Sequence, residues 1–488
     1  MSQTPHSISK TSFLKFEQCQ KAFFLYKNHP YLRDKLSVDK RLTFKRGHEV
    51  GDLAQQLFPG GIDITKQTKN SAQGIELTQS LIASKEPVIY EATFSYNGVL
   101  IMADILCLIE DKYYAYEVKS SLKISEIYLK DAYLQYYVLK NSLPDFEDLY
   151  LVSLNPDYLR EEEIEPKKLF RKRSVKLKAE ENSPYFEYQL KEAQSVLDKN
   201  TIPNLAIGKH CFKPYQCDYF GTCWKDTLTE NSVFNLPLID KGKLFEWYHQ
   251  GIKTIQQVSD DLIEKDTPLK IKNAIVNNAA IVDTAKINAF LSQIKYPVAA
   301  MDMEMWSPAI PLLKGTKPFE MLPFLVCFQN ESHSEYYLTN LKTDDREEFA
   351  KQLIDLSLAY ETVLVYDKTM EVIVINTLIR MFPNLQTGLE SLKSKLLDVF
   401  DVFLNLSYYH PAFKGNFSLK TVSSILLGEE VNYTKINSGL EAMSFFEQYR
   451  QEEDETKKSE LRLELLHYCT TDCLATLKLV EFLGSIPN

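Results

Sequence analysis

The period of the apolar positions changes several times along the chain, and the changes divide it. From about residue 11 to 58 apolar side chains recur at three- and four-residue intervals, which predicts helices. Three strand-like runs follow, Ile89 to Ser95, Val99 to Leu108 and Tyr113 to Lys119. The last two are separated by a polar pair, Glu110 and Asp111, that suits a hairpin turn. A helix is expected from about Ser125 to Lys140 and a strand near Leu149 to Ser153, giving the order helix, three strands, helix, strand. A charged stretch from Arg160 to Lys178 then leads to a helix from Phe186 to Leu197 and a cluster of cysteines. Residues 236–293 are patterned as helices without strands. A second α/β pattern begins at Pro297, with strands in "PVAAMDME", "FLVCFQ", "EYYLTN" and "TVLVYD" and a helix from about Arg346 to Leu358. A Pro-rich excursion, Ser307 to Pro323, follows the first of these strands, and a long helix starting at about Ser459 closes the chain. The expected organisation is an α/β domain over 1–235, a helical linker over 236–293 and a second α/β domain over 294–488.

With 488 residues, 44% of them hydrophobic, the chain can fill large cores. A formal net charge of -10 excludes a generally basic nucleic-acid binder, so any contact with phosphates must come from local patches. One dense basic patch exists: Lys167, Lys168, Arg171, Lys172, Arg173, Lys176 and Lys178, interleaved with Leu169, Phe170 and Val175. It reads as a phosphate-backbone track in which Lys168, Arg171 and Arg173 make contacts, with a solvated loop as the alternative. The first twenty residues lack an apolar signal segment, and no apolar run is long enough to span a membrane. A cytoplasmic protein with no membrane partner is expected, and its eight cysteines are then ligands, reactive thiols or buried apolar groups rather than disulfides. Within the linker, "EWYHQGIKTIQQV" resembles half of a helix-hairpin-helix, although a plain helical connector is favoured.

Asp104 lies in the second strand run, and a tight turn places it across from Glu117 in the third. Glu117 and Lys119, two apart, project from the same face. Two carboxylates to hold magnesium or manganese and a cation near the attacked phosphate are what metal-dependent phosphodiester hydrolysis needs. Glu91 on the preceding strand and His48 on the preceding helix are candidate additional ligands. The competing reading is an exposed pair of alternating charge, but Tyr116 and Val118 embed the pair in an aromatic sheet core. Together His48, Asp104, Glu117 and Lys119, with Gln135 and Tyr137 in "LQYYVLK", resemble the RecB-like PD-(D/E)xK nucleases of the restriction-endonuclease-like fold. That resemblance covers roughly residues 1–235 and implies that Gln135 and Tyr137 lie on the helix beside the site, against nucleic acid. Ala103 stands where the motif's proline would be.

Cys19 is far from Cys211, Cys217 and Cys223, which form an even trio. Four thiolates suit an iron–sulfur cluster or a structural zinc, and the closely spaced pairs usual for zinc are missing. The arrangement is similar to AddB-type and CRISPR-adaptation nucleases, which implies a [4Fe-4S] cluster stapling the two ends of the domain.

Asp302 and Glu304, two apart on a strand, face one way, as bridging two metal ions requires. Tyr468 and Asp472, four apart, share a face of the last helix. With Glu371 between them in sequence, these residues resemble DnaQ-type exonucleases of the RNase H-like fold, implying catalytic and metal-binding roles for Asp302, Glu304, Glu371 and Asp472 and a water-orienting role for Tyr468. The family's second motif usually has Asn and Asp where Asp367 and Glu371 stand. His467 matches another form of the third motif, and Tyr468 is preferred for its helical spacing to Asp472. Asp398 either completes the metal set or caps a helix, and His410 and Lys420 are candidate phosphate contacts or structural residues.

The whole chain resembles bacterial proteins that fuse an iron–sulfur RecB-like domain to a DnaQ-like domain, through "LVSLNPDYLR", "KHCFKPYQCDYFGTC", "YYHPAFKGNFSLK" and "LLHYCTTDCLAT". The function expected is a two-site, magnesium- or manganese-dependent nuclease acting on DNA ends or single strands, in repair or genome defence. The alternatives are a nucleic-acid-binding scaffold with inactive sites and an RNA-processing exonuclease.

Overall fold

Glu110 and Asp111 both have positive φ, 49° and 58°, the signature of a two-residue type I′ turn, and this fixes the hairpin on which the first sheet is built. In the computed structural model, which describes residues 8–487, that sheet belongs to the first of two units, Met1–Asp226 with Pro308–Glu320. Its main strands are β1 (Val88–Tyr96), β2 (Val99–Ile109), β3 (Lys112–Lys119), β4 (Phe146–Leu154) and β5 (Phe170–Ser174), adjacent in that order. The first three run antiparallel, β4 is parallel to β3, and β5 returns antiparallel along the edge. The parallel step is made by a helical crossover, the connection such a pair requires.

The longer helices of this unit are α1 (Lys10–Gln18), α2 (Gln20–Asn28), α3 (Val38–Gln55), α4 (Ser71–Ala83), α5 (Glu126–Ser142, the crossover) and α6 (Lys176–Asp198). One sheet face buries Ile101, Ala103, Ala115 and Leu149 with Phe13, Phe23, Leu134 and Phe186 from the helices. The other buries Ile105, Tyr116 and Val152 with Val50 and Ala54 of α3 and Ala309 of the Pro-rich excursion. Cys19 interrupts the first helical stretch in extended backbone, ending α1 and capping α2, where its Sγ accepts from Ala22 N at 3.4 Å. The expected helix at Phe186 begins ten residues earlier, at Lys176, and accommodates Pro184 inside it.

The second unit comprises Thr227–Ser307 and Met321–Asn488, so residues 236–293 fall within it. They are mostly helical, apart from a two-residue strand, Ile281–Val282, that pairs with Tyr408–Tyr409. The unit's main sheet contains β6 (Val298–Trp306), β7 (Leu322–Gln329), β8 (Ser334–Leu338), β9 (Thr362–Val365) and β10 (Leu396–Asp398) in the spatial order β8-β7-β6-β9-β10. β7 is antiparallel to both neighbours, and β9 is parallel to β6 and β10. Around it lie α7 (Arg346–Ser357), α8 (Thr369–Met381), α9 (Leu419–Leu427), α10 (Gly439–Gln451) and the thirty-residue α11 (Glu455–Gly484), capped by Asp454. No described helix is long and apolar enough to cross a membrane.

Candidate functional sites

The first constellation forms where the strand ladder is interrupted. Tyr90 pairs with Ile105 and Ala92 with Ala103, but Glu91 and Asp104 between them do not pair. Glu91 has φ 54°, a left-handed conformation that is rare for a strand residue with a side chain. The irregularity reverses which face the flanking residues occupy, and strained backbone of this kind concentrates at functional sites. Beside it the β2/β3 ladder ends at Ile105 and Tyr116, and Asp104 Oδ2 accepts from Val118 N at 2.6 Å. Burial and the neighbouring Glu117 push Asp104 up to about 8, and the same two causes push Glu91 up to about 7.

Glu117 is buried and takes two ammonium groups on one oxygen, Lys119 at 2.6 Å and Lys10 at 2.7 Å. Burial would raise its pKa, but Lys10 and Lys119 outweigh that and hold it well below the usual carboxylate range. Asp131, on α5, completes the network with Lys119 at 2.5 Å and Lys10 at 3.6 Å. Burial alone would lower both lysines, whereas Asp131 and Glu117 hold them raised and charged. Neither Lys10 nor Asp131 belongs to the sequence-derived set. Asp131 sits one helical turn before Gln135, whose Nε2 approaches it at 3.5 Å. Glu117 Oε2 and Gln135 Oε1 are buried without a hydrogen-bond partner. These orphaned oxygens suit a cation, yet Asp104, Glu117, Glu91 and His48 do not form a compact ligand group. His48 is exposed on α3, and Tyr137 turns instead to Asn97 and Tyr96.

Cys19, Cys211, Cys217 and Cys223 line one small cavity and form no disulfide. No three of their Sγ atoms lie within 4.8 Å of one another. Tetrahedral zinc, with Zn–S bonds of about 2.3 Å, draws sulfurs to within about 4 Å, closer than any three of these thiols come. Burial pushes Cys217 up to about 12 and raises Cys19 and Cys223, so cofactor binding here would release protons. Next to Cys217, buried Asp218 gathers Lys15 at 2.5 Å, Lys40 at 2.7 Å and Arg33 at 3.0 Å, tying α1 and α3 to the cysteine segment.

In the second unit, Asp302, Glu304 and Asp472 offer oxygens that all lie within 4.8 Å of one another, the compact acidic group found among the described residues. β6 aims Asp302 and Glu304 to one side, and α11 brings Asp472 against them. Burial is the main cause of their raised pKa values, and mutual repulsion adds to it for Asp302 and Glu304: Asp302 lies well above the carboxylate range, Glu304 rises to about 8 and Asp472 to about 6. Asp302 Oδ2 is buried with no partner. Three carboxylates so gathered are a donor set that could hold a hard divalent cation. Glu371 at the start of α8 is buried and near enough to raise Asp302 and Glu304, but lies outside the compact trio. Burial lifts it to about 7, and its Oε2 also has no partner.

Asp398 takes the capping role rather than the ligand role. Its carboxylate accepts from Asp367 N at 2.9 Å, Lys368 N at 3.1 Å and Phe400 N at 3.1 Å, which uses its oxygens on backbone. His467 bonds the Asn432 carbonyl at 3.1 Å, whereas Tyr468 is buried beside Asp472. His410 accepts from Ala412 N and caps a short turn. Tyr433, which no sequence pattern marks, donates its hydroxyl to Asp472.

The raised carboxylates give a signed expectation. The metal-free folded unit keeps protons on these groups up to about pH 8 for Glu304, while an unfolded chain loses them near pH 4. The native state therefore binds more protons across that window, and stability of the metal-free unit falls as pH rises through it. A cation replaces those protons, so manganese should raise the unfolding temperature more at pH 8 than at pH 6. A larger manganese shift at pH 6, measured by scanning calorimetry against chelator controls, would contradict this assignment.

Most of the basic patch is paired on the surface. Lys168 meets Glu165 at 2.8 Å, Arg171 meets Asp157, Lys176 meets Glu147 at 2.5 Å and Lys178 meets Glu181 at 2.7 Å. Lys172 lies over the rings of Phe58 and Tyr116 at 4.4 and 4.9 Å. Arg171, Lys172 and Arg173 belong to β5, where charge also discourages pairing with another sheet edge.

A family model described as a domain of unknown function, DUF2779, matches residues 299–418. The match takes in Asp302, Glu304 and Glu371 and stops before Tyr433, Tyr468 and Asp472. No curated protein matches the chain.

Proposed function

We propose that this chain is a divalent-metal-dependent nuclease whose principal active site is the acidic trio of the second unit. The single observation that carries the reading is the convergence of Asp302, Glu304 and Asp472 within 4.8 Å, Asp302 half-buried and the other two buried, all charge-frustrated, from a strand and a helix 170 residues apart at the extremes (472 − 302). Carboxylates so placed are unfavourable unless protonated or neutralised by cations. Magnesium or manganese, when bound, would polarise a phosphodiester and activate water. Asp302 and Glu304 would hold the ions from β6 and Asp472 from α11, while Tyr433 orients Asp472 and Tyr468 closes the same side. The order β8-β7-β6-β9-β10, with the acidic strand central, supports the resemblance to the RNase H-like DnaQ-type exonucleases.

In the first unit, the central hairpin, the parallel crossover and the cluster of Asp104, Glu117 and Lys119 support a PD-(D/E)xK reading, with the four cysteines holding a [4Fe-4S] cluster. Lys119 would face the attacked phosphate. DNA is the proposed substrate, with β5 as a backbone track, since weak surface ion pairs exchange readily for phosphate contacts. A second reading, in which this unit binds without cutting, is favoured by the two ammonium groups on Glu117.

Lys119→Ala and Asp302→Asn separate these possibilities on end-labelled DNA and RNA with either metal. If both units cut, each variant loses one component of cleavage and the double variant binds without cutting. If the first unit only binds, Lys119→Ala leaves cleavage intact and Asp302→Asn abolishes it. Intact substrate with wild-type protein under all conditions would refute the nuclease reading.

A further inference from the structure

Lys420 is a cation placed against the acidic trio with no anion in its grasp. It is the second residue of α9, and its Nζ is buried without a hydrogen-bond partner. Two aromatic faces hold it instead: the Tyr433 ring at 4.0 Å and the Tyr468 ring at 4.5 Å. Each ring is tied to the acidic group, since Tyr433 donates to Asp472 and Tyr468 lies one helical turn from it. No described carboxylate lies within ion-pair distance of Lys420, although Asp472, Glu441, Glu304 and Asp302 all act on it electrostatically. Cation–π contacts satisfy part of the charge but none of the three N–H donors, and an ammonium left with unmet donors at such depth is costly.

What the position lacks is an anion with several acceptor oxygens. With the carboxylates of the trio committed to metal, an incoming ligand could supply the missing anionic acceptors. A phosphate whose other oxygens face the metal ions meets that requirement: metals on one side, an ammonium on the other. The tyrosine rings fix the direction of the ammonium while leaving its hydrogens available, which a salt bridge would not do.

We propose that Lys420, caged by Tyr433 and Tyr468, is a phosphate-binding residue of the second site, contacting a non-bridging oxygen of the terminal phosphate of a nucleotide or nucleic-acid end. The inference rests on the phosphodiesterase reading of the trio and adds a substrate contact to it. The alternative role for Lys420 is charge compensation of the carboxylates, and the two roles make opposite predictions for ligand binding.

The test is calorimetric titration of the full-length protein with manganese, then of the manganese-loaded protein with thymidine and adenosine 5′-monophosphates. Lys420→Met should bind manganese as well as wild type or better, because a nearby positive charge is removed. Its affinity for either monophosphate should fall about ten- to a hundredfold, the scale of one charge-assisted hydrogen bond, with partial recovery in Lys420→Arg. Unchanged monophosphate affinity in Lys420→Met would overturn the proposal, leaving charge compensation as the residue's role. Loss of manganese binding in Lys420→Met would also overturn it, placing the residue in support of the carboxylates. Wild-type protein that binds manganese but neither monophosphate would remove the phosphodiesterase reading, and the proposal with it.

Discussion

Asp302→Asn is expected to abolish manganese binding at the second unit and to lower metal-dependent cleavage there about a thousandfold or more, the consequence of losing several kcal/mol of charge stabilisation. The substitution keeps the shape of the side chain and removes an ionisable carboxyl whose charged form its surroundings disfavour. Asp302 sits beside Glu304, Asp472 and Glu371, each of which disfavours its ionisation. The metal-free variant should therefore unfold at the same temperature as wild type or higher. That combination separates loss of a ligand from loss of the fold. A variant that retains manganese affinity would show that the carboxylate is not a ligand, whatever its activity.

The second large effect is expected at Cys217. Cys217→Ser should release iron and sulfide from anaerobically purified protein and unfold the first unit well before the second. Cys19 terminates α1 and starts α2, while the other three thiols come from the far end of the unit, so a cluster across them ties chain segments nearly two hundred residues apart. Adjacent Asp218 is the protein's own contribution to the same closure, and it is held down to about 2 by Lys15 and Lys40 against the effect of burial. Its stabilisation should persist above the ordinary carboxylate pKa and fade as pH falls toward 2. Elemental analysis giving one zinc and no iron would overturn the cluster assignment; in that case the wide spacing of the sulfurs must contract on loading.

The first sheet was legible because its strands are short runs rich in β-branched and aromatic residues and its hairpin carries a polar pair suited to positive φ. β5 was not, since Phe170 is its one buried side chain and the rest reads as a charge run. α6 was shortened by Pro184, a residue that normally marks a boundary but here lies inside the helix. At the sites, residues spaced two apart on a strand or four apart on a helix could be grouped from the sequence: Glu117 with Lys119, Asp302 with Glu304, Tyr468 with Asp472. Partners brought by tertiary packing could not. Lys10 reaches Glu117 across 107 positions, and Tyr433 reaches Asp472 across 39 with no pattern announcing either contact. Asp398 illustrates a different limit. Ligand and cap require the same residue type, and the choice depends on whether three backbone amides turn toward it, as they do. Lys420 stands in the sequence as an isolated cation, and only its position over two rings gives it a distinct chemistry.

The central claim, that the acidic trio hydrolyses phosphodiester bonds, is tested most directly by incubating anaerobically prepared protein with 5′- and 3′-labelled single-stranded DNA and RNA. Magnesium or manganese would be present, with chelator and Asp302→Asn as controls. Cleavage that requires the metal and disappears in Asp302→Asn is the predicted result. Strands that are bound but remain intact with both metals would contradict it and leave a nucleic-acid-binding scaffold in its place.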